Sequence, residues 1–341
     1  MGRNDITANT KSRDWRRLIP GLIISLISLA VVLYLAKPAE LYKALLLADY
    51  RLVLVSIAVA LLWLLVRSIA WRTLLQDQAT LEQVFFTVNE GYLLNNVLPF
   101  RLGEIARSFL LSHKTGIDFW HVLSTIVIER IFDLALAAGL VLSTLPFVLN
   151  ASFARQAALG AAGIVLLGLA GLFLLARHRD WAIARIEQLG KRWPKVMRYT
   201  GHSLNSFLSG LAVLTNGKLF FKALFWMTLD WLIAIGQYYL LLKAFIPEGT
   251  FLWAAFVLGI AALGIAAPSS PGGVGVYEAV VVAALAIFGV DAAPALAMAI
   301  TAHLAQYLLV GVLGSIGLAR DGQSLVGLYG RLRRISQENT P

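Results

Sequence analysis

Apolar residues run along this chain in long blocks, and the blocks are separated by short polar or basic stretches. Helices that cross a bilayer need about 20 consecutive apolar residues. Six blocks meet that length and predict full spans: Leu18 to Ala36, Leu52 to Ala70, Phe119 to Leu149, Ala154 to Ala176, Ala223 to Phe245 and Pro294 to Leu318. Two further apolar segments, Leu81–Leu111 and Phe251–Val290, are interrupted by Pro and Gly. Each reads as two shorter helices joined at a break. Broken backbone at membrane depth is tolerated only where protein covers it or a wet cavity lines it. Both segments are therefore expected to be re-entrant hairpins, and the fold class is an all-α polytopic helix bundle.

Composition agrees with a membrane chain. Hydrophobic residues make up 59% of the 341 residues and charged residues only 14%, where soluble domains carry about 25% charged residues. The formal net charge of +10 would suit nucleic acid, but the basic residues flank the spans. That placement reads as topology and contact with anionic lipid, with no nucleic acid partner. Arg3, Lys11, Arg13, Arg16 and Arg17 precede the first span, and Arg177 through Lys218 fill the longest loop. Arg320, Arg331, Arg333 and Arg334 follow the last span. The positive-inside rule makes all three cytoplasmic. A single membrane domain follows, in the plasma (inner) membrane with both termini cytoplasmic. It has tails at 1–17 and 319–341, halves at 18–149 and 223–318, and a basic loop at 177–222. Within that loop Trp193–Leu214 reads as an amphipathic helix on the inner leaflet. Trp15, Trp71, Trp120, Trp181 and Trp253 stand near span ends, as interfacial belts do.

With six full spans, the two hairpins enter from opposite faces. The first carries Pro99-Phe100-Arg101-Leu102-Gly103-Glu104 and the second Pro271-Gly272-Gly273-Val274-Gly275-Val276-Tyr277-Glu278. Each gives Pro, then Gly, then Glu, the trace an inverted repeat would leave, and such repeats place substrate sites near the midplane.

These residues also resemble a known family. Asn95 through Arg107, Glu129-Arg130-Ile131-Phe132-Asp133, and Pro268 through Glu278 are similar to the ordered signatures of the lysylphosphatidylglycerol synthase transmembrane-region, or flippase-like, family. In its bifunctional members a soluble aminoacyl-transferring domain follows the membrane domain. Here the chain stops about twenty residues past the last span, so the resemblance implies the lipid-translocating half alone. Stand-alone relatives are associated with polyprenyl-linked glycans or hopanoids. Relatives often carry Arg where this chain has His303.

The candidate residues have two readings each. Glu129 and Asp133 lie four apart on one helical face beside Arg130. A charge at mid-span costs on the order of 3 kcal/mol, so these should face the interior and be paired. They form either a structural ion pair, Arg130 with Asp133 or with Glu104, or a site for a proton or headgroup. Arg101 and Arg107 either hold a lipid phosphate in bidentate fashion or snorkel to the headgroups. Gly272, Gly273 and Gly275 either present free N–H groups to an anion at the start of the next helix or only permit a tight turn or close helix packing. Glu278, one turn further on, can take a proton, pair with an Arg of the first hairpin, or meet a cationic headgroup. Asn89, Glu90, Asn95 and Asn96 either line the first hairpin or satisfy its backbone. Asp230 is expected to be solvated near the cytoplasmic end of its span. His303 is either a proton-exchanging group or simply a hydrogen-bonded histidine of the helix bundle.

Catalytic signatures are absent: no P-loop, no His-Glu-x-x-His and no nucleophile elbow. The chain has no cysteine, which excludes disulfides and thiolate metal sites. No cofactor is expected. The functional expectation is a translocase for an anionic phospholipid, a polyprenyl-phosphate-linked lipid or a hopanoid-type lipid. The alternatives are a scaffold for a lipid- or glycan-modifying enzyme, and a membrane-embedded enzyme.

Overall fold

The computed structural model describes residues 23–98, 102–148, 206–265 and 270–322, with scattered residues between 163 and 185. Among the described residues the chain is helical and contains no strand. Ten helices carry the argument: α1 (Ile23–Ala36), α2 (Pro38–Leu47), α3 (Tyr50–Leu74), α4 (Leu81–Val97), α5 (Gly103–Thr115), α6 (Phe119–Val148), α7 (Gly217–Phe245), α8 (Phe251–Ile265), α9 (Val276–Ala286) and α10 (Ala292–Arg320).

Helices α3, α6, α7 and α10 are each long and apolar enough to cross a membrane, and α1 with α2 makes a fifth candidate bent by 76°. The bend falls at Lys37, which has a positive φ, with Pro38 opening the next helix. Proline suits a first helical position because its missing N–H would be unpaired there anyway. The expected span at 154–176 lies mostly outside the described residues.

Local chemistry sets the helix ends. Asp49 caps α3 by accepting from the N–H groups of Arg51 and Leu52. Thr80 and Gln83 close a reciprocal box at the start of α4, which satisfies two otherwise unpaired donors. Asn216 caps α7, and Gly116 ends α5 in the left-handed conformation.

Both broken segments fold as pairs of packed helices, α4 on α5 and α8 on α9. Gly103 and Gly91 let the first pair approach closely: a Cβ on Gly103 would lie 2.1 Å from the Gly91 carbonyl oxygen. The two pairs meet each other. Helix α4 packs along α10 and against the 3-10 turn Pro271–Gly273 at the tip of the second pair.

The packed interior has two main apolar clusters. One gathers residues of α3, α4, α6 and α7, including Trp71, Val88, Ile126 and Met227. The other gathers α1, α7, α8, α9 and α10, including Val32, Ile235, Phe256 and Met298. Leu208, Leu211, Val213 and Leu214 are buried in the first cluster. The described end of the expected amphipathic helix therefore packs on protein, where a face turned to lipid was expected. Trp71 is likewise fully buried, so it belongs to no interfacial belt.

Candidate functional site

Helices α3 and α7 pack along one another, and each changes character at one charged residue. On α7, Met227 belongs to the first cluster and Ile235 to the second, with Asp230 between them. On α3, Arg67 sits between Val53 of one cluster and Ala70 of the other. Glu129 and Asp133 of α6 come to the same level. An arginine in so apolar a place must be paired within the protein, and Arg67 is.

Its guanidinium is 3% exposed and reaches three carboxylates. Nη2 donates to Glu129 at 2.6 Å and to Asp133 at 2.5 Å, and Nη1 donates to Asp133 at 2.8 Å and Asp230 at 3.1 Å. Arg107 holds the other side of Glu129 with a fork of two bonds, 3.0 and 2.5 Å. Its guanidinium carbon also lies 3.6 Å from the centre of the Trp71 ring, a cation–π contact of the kind that strengthens when desolvated. The Trp71 indole is itself fixed by donating to Thr125 at 3.0 Å. Trp231 adds a bond to Asp133 at 3.2 Å.

The cluster is sealed on one side and open on the other. Arg67, Arg107, Glu129 and Asp230 are nearly inaccessible. The Arg130 side chain is 33% exposed, Glu104 27% and Asp133 17%. Arg130 lies within 3.3 Å of Glu104 and within 3.2 Å of both Glu129 and Asp133. Both expected partners of Arg130 are thus present together. Three arginines face four carboxylates in this network, leaving one negative charge in excess when all are ionised. One oxygen of Asp230, Oδ1, is buried without a hydrogen-bond partner.

The sequence reading brought Glu104, Arg107, Glu129, Arg130 and Asp133 forward, and the fold joins all five. Arg101 lies outside the described residues. Arg67 was missed, although a lone arginine inside a strongly apolar run is a signal in itself. Asp230 is corrected: it is 2% exposed and bonded to Arg67, because α3 and not solvent covers its face of α7. Among the weaker candidates, Asn95 accepts from the Gly103 N–H at 2.9 Å and so serves the hairpin backbone. Glu90 is buried and bound by Lys114 at 2.8 Å.

Gly272, Gly273, Gly275, Glu278 and His303 form a second polar centre at the tip of α8/α9. Glu278 accepts from the Gly275 N–H at 2.6 Å and pairs with His303 Nδ1 at 2.6 Å. His303 Nε2 lies 3.1 Å from the Gly272 carbonyl oxygen. The chain's own carboxylate thus occupies the helix start that the sequence offered to an outside anion. Among the described residues Glu278 pairs with this histidine and with no arginine of the first hairpin. The tip also reaches α1, where the Ser270 N–H donates to Ser25 Oγ at 2.9 Å. Among the described residues no group of three or more His, Asp or Glu side chains is placed to hold a metal ion.

Similar proteins agree on the class. A UPF0104 membrane protein of Methanothermobacter thermautotrophicus is 24% identical over 302 residues, covering 85% of this chain and 89% of that protein. A UPF0104 membrane protein of Methanocaldococcus jannaschii is 23% identical over 313 residues, covering 87% and 93%. The glycosyltransferase AglD of Haloferax volcanii is 26% identical over 336 residues, covering 88% of this chain and 53% of that larger protein. No solved structure matches the chain. The family model described as the lysylphosphatidylglycerol synthase TM region matches residues 18–314, and the chain belongs to that membrane-protein family.

Proposed function

We propose that the protein moves a lipid with an anionic headgroup between leaflets, a phospholipid or a polyprenyl-phosphate-linked or hopanoid-type lipid. The observation that carries this reading is the open edge of the charged network. The Arg130 guanidinium, at the level of apolar helices, is a third exposed, while Glu129, Arg67 and Arg107 behind it are sealed. Arg130 would take the headgroup phosphate in bidentate fashion and release Asp133 or Glu104 as it does so. A released Asp133 would stay on Arg67, and a released Glu104 would take up a proton. The buried Arg67–Glu129–Arg107 core would hold three helices in register during the exchange. The tails would remain in lipid, outside the bundle.

The relative named a glycosyltransferase favours a glycan-bearing lipid over a plain phospholipid. It covers a protein about twice as long, so a transferase activity is not carried over. In this reading both broken hairpins are re-entrant, one from each face, and α4 of the first meets the 3-10 turn of the second.

A second reading has its own observation. A network as sealed as Arg67, Arg107, Glu129 and Asp230 suits a rigid scaffold for a lipid- or glycan-modifying enzyme. Leaflet exchange separates the two. Purified protein in vesicles would be tested with labelled phosphatidylglycerol, polyprenyl phosphate and a polyprenyl-linked glycan. Translocation predicts exchange of at least one, lost in Arg130→Gln. No exchange of any by folded protein would favour the scaffold.

A further inference from the structure

The second polar centre carries an inference of its own, because its hydrogen bonds fix how many protons it holds. The Gly272 carbonyl oxygen can only accept, so His303 Nε2, 3.1 Å away, is the protonated nitrogen. The facing pair, Nδ1 and Glu278 Oε1 at 2.6 Å, needs one further proton between them. It sits on the imidazole, giving an ion pair, or on the carboxyl, giving a neutral pair. Either way the pair is neutral overall and holds one proton beyond the fixed one. Removal of that proton would set the nitrogen lone pair against a carboxylate oxygen and leave a net negative charge. Side-chain exposure is only 13% for His303 and 5% for Glu278.

Among the described residues the surroundings supply no replacement charge. Tyr277 and Tyr307 flank the imidazole, with ring centres 4.7 and 4.5 Å away. Tyr238 of α7 meets this group through the Tyr277 hydroxyl at 2.7 Å, and α1 contributes the uncharged Ser25. Of the charged groups on the packed helices, Lys218 stands at the opposite end of α7 from Tyr238, and others are engaged elsewhere. Glu90 and Glu82 of α4 bind Lys114 and Arg320, Asp230 of α7 binds Arg67, and Lys222 and Lys243 of α7 bind Asp77 and the Pro247 carbonyl.

The same contacts hold the hairpin tip. Gly272, Gly273 and Gly275 all have positive φ, so the backbone is a chain of left-handed turns with little helix of its own. Among the described residues its side-chain hydrogen bonds to other helices are to Ser25 of α1 and His303 of α10, with Ser270 and Glu278 bonding within the hairpin.

We propose that Glu278 and His303 form a proton-binding site in which one transferable proton clamps the tip of the second hairpin to α10, and that its loss frees the tip. The proton leaves to water, and no bond other than that N–H or O–H changes. That this proton accompanies lipid movement rests on the translocation reading above. The clamp itself does not.

Nitrogen NMR on histidine-labelled protein in liposomes tests the site directly. The chain has five histidines, and His303→Gln identifies the signal. The expected result is an Nε2 that stays protonated and an Nδ1 whose shift follows a single proton, with that titration altered in Glu278→Gln. A bare Nε2 overturns the proposal. So does an Nδ1 that never titrates between the carboxylate and tyrosine ranges, or one that titrates identically without the Glu278 carboxyl.

Tip release has a separate readout. The cysteine-free chain accepts a single probe at Val274, which is 38% exposed at the tip. Reactivity of Val274→Cys toward a soluble maleimide, divided by that of Glu248→Cys in the α7–α8 loop, should rise severalfold as the proton leaves. A ratio that stays constant with pH overturns the clamp. Lipid exchange then judges the coupling: exchange at one rate with and without a proton gradient overturns it. Absence of all exchange, with titration and release intact, counts against translocation alone.

Discussion

Glu104 and Glu278 come from the two look-alike motifs, yet the fold uses them differently. Glu278 turns back to its own helix start and accepts from Gly275. Glu104 reaches away to Arg130 on another helix. The difference lies in spacing. Glu278 stands three residues past the capping Gly275, the position from which a Glu side chain reaches back to the cap N–H. Glu104 directly follows Gly103 and is too near to do so. The Gly103 N–H is taken by Asn95 from the neighbouring helix, which leaves Glu104 available to a partner elsewhere. One hairpin therefore adds a carboxylate to a shared charged network, and the other turns its carboxylate to its own helix start and to His303 of α10.

This contrast can be broken most forcefully at its charged side. Arg67→Met leaves the buried Asp230 without a partner and takes one arginine from Glu129 and from Asp133, which keep Arg107 and Arg130. Removing one partner of a buried ion pair costs about 3–5 kcal/mol. The expected outcome is loss of folded protein in detergent, read by size exclusion and thermal unfolding. Arg67→Met combined with Asp230→Asn and Asp133→Asn should recover part of it.

The next largest effects should come from the two helix-start glycines. A Cβ on Gly275 would lie 2.3 Å from the Ser25 carbonyl oxygen, at a φ of +86°. Gly275→Ala should destabilise by about 1–3 kcal/mol and detach the tip from α1. Gly103→Ala should separate α4 from α5 by a comparable amount, since the obstacle there is also backbone. Thermal unfolding measures both, and crosslinking from Ser25→Cys to Ser270→Cys reports the first.

Smaller effects should come from the carboxylates themselves, and their ranking sharpens the contrast. Glu278→Gln removes a buried charge-assisted bond and should cost about 1–3 kcal/mol. Glu104→Gln removes a half-exposed pair and should cost under about 1 kcal/mol. Equal losses in chemical denaturation would mean that the two residues play one role after all. At the periphery, the exposed Arg320–Glu82 pair should contribute about 0–1 kcal/mol, weakening with salt, which Arg320→Gln would show.

Long apolar blocks made α3, α6, α7 and α10 legible, since length and hydropathy alone define such helices. The two breaks were legible because Pro and Gly interrupt helices wherever they stand. The cluster of Glu129, Arg130 and Asp133 declared itself as charge in hydrocarbon. What the sequence hid was pairing. Arg67 lies 62 residues from Glu129 and 163 from Asp230, and no local pattern encodes those contacts. Asp230 looked solvated for the same reason: nothing near it in sequence announces that α3 lies against its face. The short reach of Glu278 back to Gly275 could be read from spacing, but the closing hydrogen bonds to His303 needed the packing of α9 on α10.

The bond from Ser270 to Ser25 spans 245 residues, and Val32 and Ala36 of α1 pack among residues of α7 through α10. Helix α1 therefore docks on parts of the chain made some 245 residues later. At the usual pace of synthesis that delay is roughly 10–50 s. During that interval α1 must sit in the bilayer without its final neighbours. Its row of lipid-compatible residues, Ile23, Ile24, Leu26, Ile27, Val31 and Leu35, all still exposed in the finished fold, equips it for that wait. Completion of the α1 contacts thus waits on the second hairpin, and a chain interrupted before α9 would leave α1 without its neighbours on α9 and α10.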